Sequence, residues 1–167
     1  MPGDDAFLRQ IAKPVTEFGA ELKQIADDML ETLPTLGGIG LAAPQVGHSI
    51  AMVLIDISHT GDLEHPAPAP FFLCNPKILG GKGTASLAEG CLSVPGLRVE
   101  VPRIATIDVE AQTIEGKTVR FQASELLAIV IQHENDHLEG RLIVDWAAQG
   151  CKSFNEDEVP EDLEVLD

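Results

Sequence analysis

Ser124-Glu125-Leu126-Leu127-Ala128-Ile129-Val130-Ile131-Gln132-His133-Glu134-Asn135-Asp136-His137-Leu138 is the stretch on which the reading of this 167-residue chain turns. Ser124 is a favoured helix-capping residue, and Gly140 stands where a helix would end. The run between them predicts a helix from Glu125 to about Leu138. Side chains four residues apart lie on one helix face, so His133 and His137 can grip one metal ion. Glu134 is then held near the metal without being a ligand, which suits a general base for water. The pattern points to hydrolysis. Hydrolytic sites keep three protein ligands and one open position, so a third ligand is wanted. Alone, the run also fits a metal-free helix with two histidines on a polar face.

Outward from this helix, the pattern mixes helix and strand. Ala105, Ile107, Val109 and Ala111 alternate with polar residues, as in a half-buried strand. A turn at Glu115-Gly116-Lys117 leads to Thr118–Gln122, so the pair reads as an antiparallel hairpin. Upstream, Phe18, Leu22, Ile25, Met29 and Leu33 recur at helical steps, which predicts a helix from Thr16, as N-cap, to Leu33, with Pro34 beyond its end. Met52–Ile57 reads as a buried strand, and proline-rich Gly61–Pro70 as a loop. Phe71–Leu79 reads as an extended stretch and Gly80–Gly83 as a turn. The class is α+β. No repeat or linker divides the chain, so residues 1–154 read as one catalytic domain.

The composition excludes several partners. The formal charge is −16. Seven acids and no Lys or Arg follow Asn155, leaving 20 acids against 11 bases in the remainder, or −9. Phosphate contacts need a basic patch, so direct nucleic-acid binding is not expected. Residues 155–167 read as a flexible acidic tail. No apolar run reaches the ~18 residues of a membrane span. The N-terminus lacks a basic region followed by an apolar core, and three unpaired cysteines suit a reducing compartment, so the expected location is the cytoplasm. The expected assembly is a monomer.

Glu89-Gly90-Cys91-Leu92-Ser93-Val94-Pro95-Gly96 supplies a candidate third ligand. An isolated Cys is most often a small buried hydrophobe. Beside a His-Glu-x-x-His helix, Cys91 becomes a candidate thiolate ligand. His48, His59 and His65 lie in loop-like sequence and are not read as ligands. Arg98 and Arg103 read as partners of Glu89, as groups that orient substrate, or as solvated surface.

Three segments in this order, Gly38-Ile39-Gly40-Leu41-Ala42-Ala43-Pro44-Gln45, Glu89-Gly90-Cys91-Leu92-Ser93 and Gln132-His133-Glu134-Asn135-Asp136-His137, resemble the motifs of the peptide deformylases. Those enzymes remove the formyl group from the N-terminal methionine of new polypeptides. The resemblance runs from about Phe7 to Trp146. It implies antiparallel β-sheets packed around a central helix that carries the His-Glu-x-x-His motif. It implies one divalent metal held by Cys91, His133 and His137, most often Fe²⁺, with Zn²⁺, Ni²⁺ or Co²⁺ as substitutes. Glu134 would be the general base and acid as metal-activated water attacks the formyl carbon. Gln45 and the Leu92 N–H would bind the oxyanion. Ile39, Leu126, Ile129 and Val130 would line the methionine pocket, and Gly40, Glu89 and Gly90 would complete the substrate site. By periodicity alone, Leu126, Ile129 and Val130 read as plain core.

The resemblance implies formyl-methionyl nascent peptides as partners, in the vicinity of the ribosome. Some relatives dock there through a basic C-terminal helix, and the acidic end of this chain speaks against that route. Only Met1–Asp4 precede the stretch resembling the family, so an absent or shortened edge strand is expected. A small zinc endopeptidase and a non-catalytic binding module are the other readings. No third His or Glu stands downstream where an endopeptidase would need it, and the intact ligands weigh against a module without activity.

Overall fold

The computed structural model describes residues 6–61, 63–64, 66–91, 93–161 and 165–166. The start of the chain, where a shortened edge strand is expected, lies outside them, as do His65 and Leu92.

Two long strands carry the architecture. β3 (Phe71–Cys91) and β4 (Val94–Gln112) form an antiparallel hairpin in which Cys91 pairs with Val94. β1 (Gly40–Ala42) and β2 (Met52–Ile55) extend the sheet on one side and β5 (Thr118–Ser124) on the other, in the order β1-β2-β3-β4-β5. β6 (Ser153–Asn155) pairs antiparallel with β4. β7 (Val165–Leu166) pairs with β3 and is parallel to it. The class is α+β, as the sequence predicts. The residues after Asn155, separated in the sequence as a tail, begin with a hydrogen bond from Glu156 N to Gly96 O of 3.1 Å.

The predicted turn at Gly80–Gly83 is instead strand. β3 runs through it, with Gly80 opposite Asp108 and Gly81 opposite Ile107. Register shifts between Cys74 and Lys77 and between Ile78 and Gly80 mark bulges, which bend a strand without ending it. A Cβ on Gly81 would come within 2.4 Å of the Thr106 carbonyl oxygen, so the glycine serves close strand approach.

α1 spans Ala20–Leu36, later at both ends than the predicted Thr16–Leu33. The chain before it is held by Asn75, whose side chain accepts from Val15 N (2.8 Å) and donates to Val15 O (2.9 Å). Gly19, not Thr16, takes the N-cap position. Pro34 lies inside the last turn, which closes at Gly37 with a φ of 73°. α2 spans Glu125–Leu138 as predicted. Ser124 precedes it, but its hydroxyl meets Thr106 Oγ1 (3.2 Å) and makes no capping bond. A short α3 (Ile143–Ala148) follows.

The two long helices cover opposite faces of the sheet's β1–β2 end. Met52 and Leu54 pack with Met29 and Leu33 of α1, while Val53 and Ile55 pack with Ile129 and Ile131 of α2. This explains why β2 reads as an uninterrupted apolar run. Further along, Ile107, Val109 and Ala111 turn inward to the α2 side, as their alternation predicts.

Gly140 sets the exit of α2. Its φ is +75°, and a Cβ there would meet the Arg9 carbonyl oxygen at 2.3 Å. Gly140→Ala is expected to cost at least about 1–2 kcal/mol, the penalty for an L-residue in left-handed backbone before the clash is added. Thermal or denaturant unfolding measures it, and an unchanged midpoint would contradict the account.

Candidate metal centre

Cys91 ends β3, and His133 and His137 lie one turn apart on α2. Their ligand atoms all sit within 4.8 Å of one another, and Cys91 Sγ is 3.3 Å from His137 Nε2. One ion with bonds of about 2.0–2.3 Å can bridge such a set. The donors also suit a cation chemically, since a thiolate and two imidazoles accept soft or borderline metals.

The His133 ring is aimed by Glu89. With Nδ1 donating to Glu89 Oε1 at 2.8 Å, Nε2 is left for a metal. Glu89 is fully buried, and its two oxygens also accept from Arg103 Nη2 (2.7 Å) and Nε (2.9 Å). Arg103 reaches on to Asp136 Oδ2 (2.8 Å), which accepts from Trp146 Nε1 (3.1 Å) as well. Gln132 ties the same helix to β4, accepting from Ile104 N (3.0 Å) and donating to Ile104 O (2.8 Å).

These contacts shift the titration of the cluster. Burial alone would raise the Glu89 carboxyl, but Arg103 and His133 hold it below the ordinary range. Burial would also raise the Cys91 thiol, yet the two imidazoles bring it well below its usual value. Burial would lower His133, and Cys91 and Glu89 hold it well above. The site therefore favours the thiolate, which is the ligand form, and an incoming cation takes the place of a proton.

Glu134 is pressed against the backbone of β1. A Cβ on Gly40 would meet Glu134 Oε2 at 2.5 Å, so the glycine makes room for the carboxyl group. Burial pushes that carboxyl upward. Its Oε1 is a buried polar atom with no hydrogen-bond partner among the described residues, and the carboxyl group lines the cavity, open to a group beyond the protein's own. Gln45 stands in a 3₁₀ turn after β1. Its Oε1 accepts from Ala42 N (2.9 Å), which turns Nε2 toward Ser93 Oγ (3.2 Å) and Cys91 Sγ (3.9 Å).

A cavity of about 280 Å³ opens on this cluster. Of the predicted residues, Ile39, Gly40, Gln45, Gly90, Cys91, Val130, His133 and Glu134 line it. Ile129 is 3% exposed in the core cluster, with Leu126 packed against that cluster. The Glu89 side chain stands behind His133. Gly90 makes room for Arg98, whose Nη1 would lie 2.7 Å from a Cβ there. The parts the sequence missed are the onward links, Arg103 to Asp136 and Asp136 to Trp146. Asp136 inside the motif and an arginine on the neighbouring strand were the visible signals.

Residues 1–153 match the family model described as Polypeptide deformylase. A peptide deformylase of Hydrogenovibrio crunogenus is 44% identical over 141 residues, covering 84% of this chain and 80% of the relative. Crystal structures agree. A peptide deformylase from Legionella pneumophila superimposes with a TM-score of 0.78 at 39% identity, covering 87% of this chain and 82% of the other. One from Synechococcus elongatus in complex with actinonin gives 0.78 at 40% identity, covering 86% and 75%.

Glu89→Gln retains the shape of the contact to His133 and removes its charge. Its expected effect is a loss of about 10–100-fold in metal affinity, the range for partners that orient a ligand. A competition titration of Co²⁺ against a chelator reads this, and an unchanged affinity would remove Glu89 from that role.

Proposed function

This chain belongs to the polypeptide deformylase family, and on that premise we propose that it hydrolyses the N-formyl group of N-terminal methionine in new polypeptides, releasing formate. The observation that carries the proposal is the cluster of Cys91, His133 and His137 beside one cavity that Cys91 and His133 line together with Glu134 and Gln45. Residues 1–154 form the catalytic unit in this reading, acting as a monomer in the cytoplasm. Among the described residues, no helix is long and apolar enough to cross a membrane.

Cys91, His133 and His137 would hold one divalent ion, Fe²⁺ by preference, with Zn²⁺, Ni²⁺ or Co²⁺ as substitutes. When bound, such an ion supplies Lewis acidity and lowers the pKa of water from 15.7 to about 7. Every other task falls to the chain. Glu134 takes the proton of the attacking water and passes it to the departing amine as the formamide C–N bond breaks. Its buried position raises its proton affinity, which suits a group that must both accept and return a proton. The Gln45 Nε2 donor faces the growing oxyanion, held there because Oε1 is bonded to Ala42 N. The Leu92 N–H is the second donor in this proposal.

The substrate lies extended along Gly40 and Gly90, where missing side chains admit its main chain. Ile39 and Val130 receive the methionine side chain, with Leu126 and Ile129 forming the packed apolar layer behind. Glu89 serves this substrate site indirectly, by fixing His133.

Protein purified without oxygen and loaded with Fe²⁺ is expected to release formate from formyl-Met-Ala-Ser. Glu134→Ala is expected to reduce kcat/KM by about 10²–10⁴, the range for a general base. Gln45→Ala is expected to lower kcat by about 10²–10³. Formate release no faster than from the Glu134→Ala protein would overturn the assignment.

A further inference from the structure

Behind the His133 imidazole, a line of hydrogen-bonded charges runs out to a residue that none of the three motifs contains. Trp146 is the single tryptophan of the chain and stands on α3. Ile143, one turn before it, is buried against Val99 and Val101 of β4, and Trp146 packs on the same cluster. α3 is anchored at its start, where the Asp145 carboxylate accepts from Leu142 N (2.9 Å) and from Arg9 Nη1 (2.5 Å). The indole therefore has a fixed place beside β4 and α2.

From that place it holds one carboxylate and faces two cations. Its Nε1 donates to Asp136 Oδ2 at 3.1 Å, the same oxygen that accepts from Arg103 Nη1 at 2.8 Å. The guanidinium carbon of Arg141 lies 4.0 Å from the ring centroid and that of Arg103 5.4 Å, both within reach of a cation–π contact. Arg103 directs Nε and Nη2 to Glu89, and Glu89 Oε1 meets His133 Nδ1. The contacts thus run without a gap from Trp146 through Asp136, Arg103 and Glu89 to His133. A planar guanidinium bonded at both ends cannot tilt toward one partner without leaving the other. The Asp136 side chain is 15% exposed, against 3% for Arg103 and 0% for Glu89, so water reaches the line at Asp136. The indole N–H takes an acceptor site there for which water would otherwise compete.

Resting on the metal centre of the deformylase reading, we propose that Trp146 is a positioning residue for the metal ion. It fixes Asp136, which steadies Arg103 and Glu89 and through them the ring orientation that presents His133 Nε2. Partners outside the ligand set tune metal affinity in this way because a ligand ring free to turn binds more weakly. Trp146 is not among the residues that line the cavity, so its effect falls on retention of the ion.

The test is a double-mutant cycle on the full chain, read by competition of Co²⁺ against a chelator with no substrate present. Trp146→Phe keeps an aromatic ring and removes the N–H donor. Its expected effect is a roughly 3- to 10-fold loss of Co²⁺ affinity, smaller than that of a partner bonded directly to a ligand. In a Glu89→Gln background, where the line is already weakened, the same change should cost less than about twofold. Asp136→Asn probes the next link and should show the same dependence on Glu89. Unchanged affinity in the Trp146→Phe protein would overturn the role. So would equal losses in both backgrounds, since packing alone acts whatever stands at position 89. Formate release judges the deformylase reading separately. Protein that shows this coupling and yet frees no formate from formyl-Met-Ala-Ser would refute that reading and keep the positioning role.

Discussion

One buried carboxylate ties the halves of the site together. Glu89 stands near the end of β3, two residues before Cys91, and receives hydrogen bonds from Arg103 on β4 and His133 on α2. A buried anion is tolerated when it is paired and hydrogen-bonded, and removing one partner typically costs about 3–5 kcal/mol. Arg103 is itself shared with Asp136, and the Asp136 carboxylate with Trp146 of α3. The hairpin cannot shift against the helix without exposing an unpaired charge. Cys91 and the His133 imidazole are therefore held in register by the same group.

The packing around this network explains why the ligands come from distant parts of the chain. α2 is pinned to β4 through Gln132 and presses its apolar face on Val53, Ile55, Ile107 and Val109. Gly40 and Gly90 let β1 and β3 approach close enough to enclose Glu134 and Arg98. The inner end of the cavity is thus rigid and closely packed. Its rim includes the short β4–β6 pairing and the partly exposed ion pair of Arg98 with Glu156.

Much of this was legible in the residues. The limits of α2 followed from Ser124, the apolar run and Gly140, although the Ser124 hydroxyl bonds Thr106 on β4 and makes no cap. The β4–β5 hairpin followed from its period of two. The cluster of Cys91, His133 and His137, which could hold a metal ion, followed from Cys91 and the His-Glu-x-x-His spacing. The misreadings share a cause. Gly80–Gly83 looked like a turn because glycine marks both turns and close strand crossings, and the choice was made by β4 some 25 residues away. Thr16 looked like a helix cap, but the chain there is held extended by Asn75, a residue on another strand.

The sequence by itself determined the kind of chemistry: residue types and spacing on one helix define a metal-binding face, and local periodicity defines the elements that carry it. Tertiary structure alone decided which partners tune that face. Glu89 selects the imidazole nitrogen, Gly40 admits the Glu134 carboxyl, and Glu156 comes to lie at the cavity rim. The physical reason is one of range. Helical spacing and strand alternation act over a few residues and are written in the chain. Hydrogen bonds to a buried charge join residues 14 to 44 positions apart, and they exist only once the hairpin and the helix have packed together.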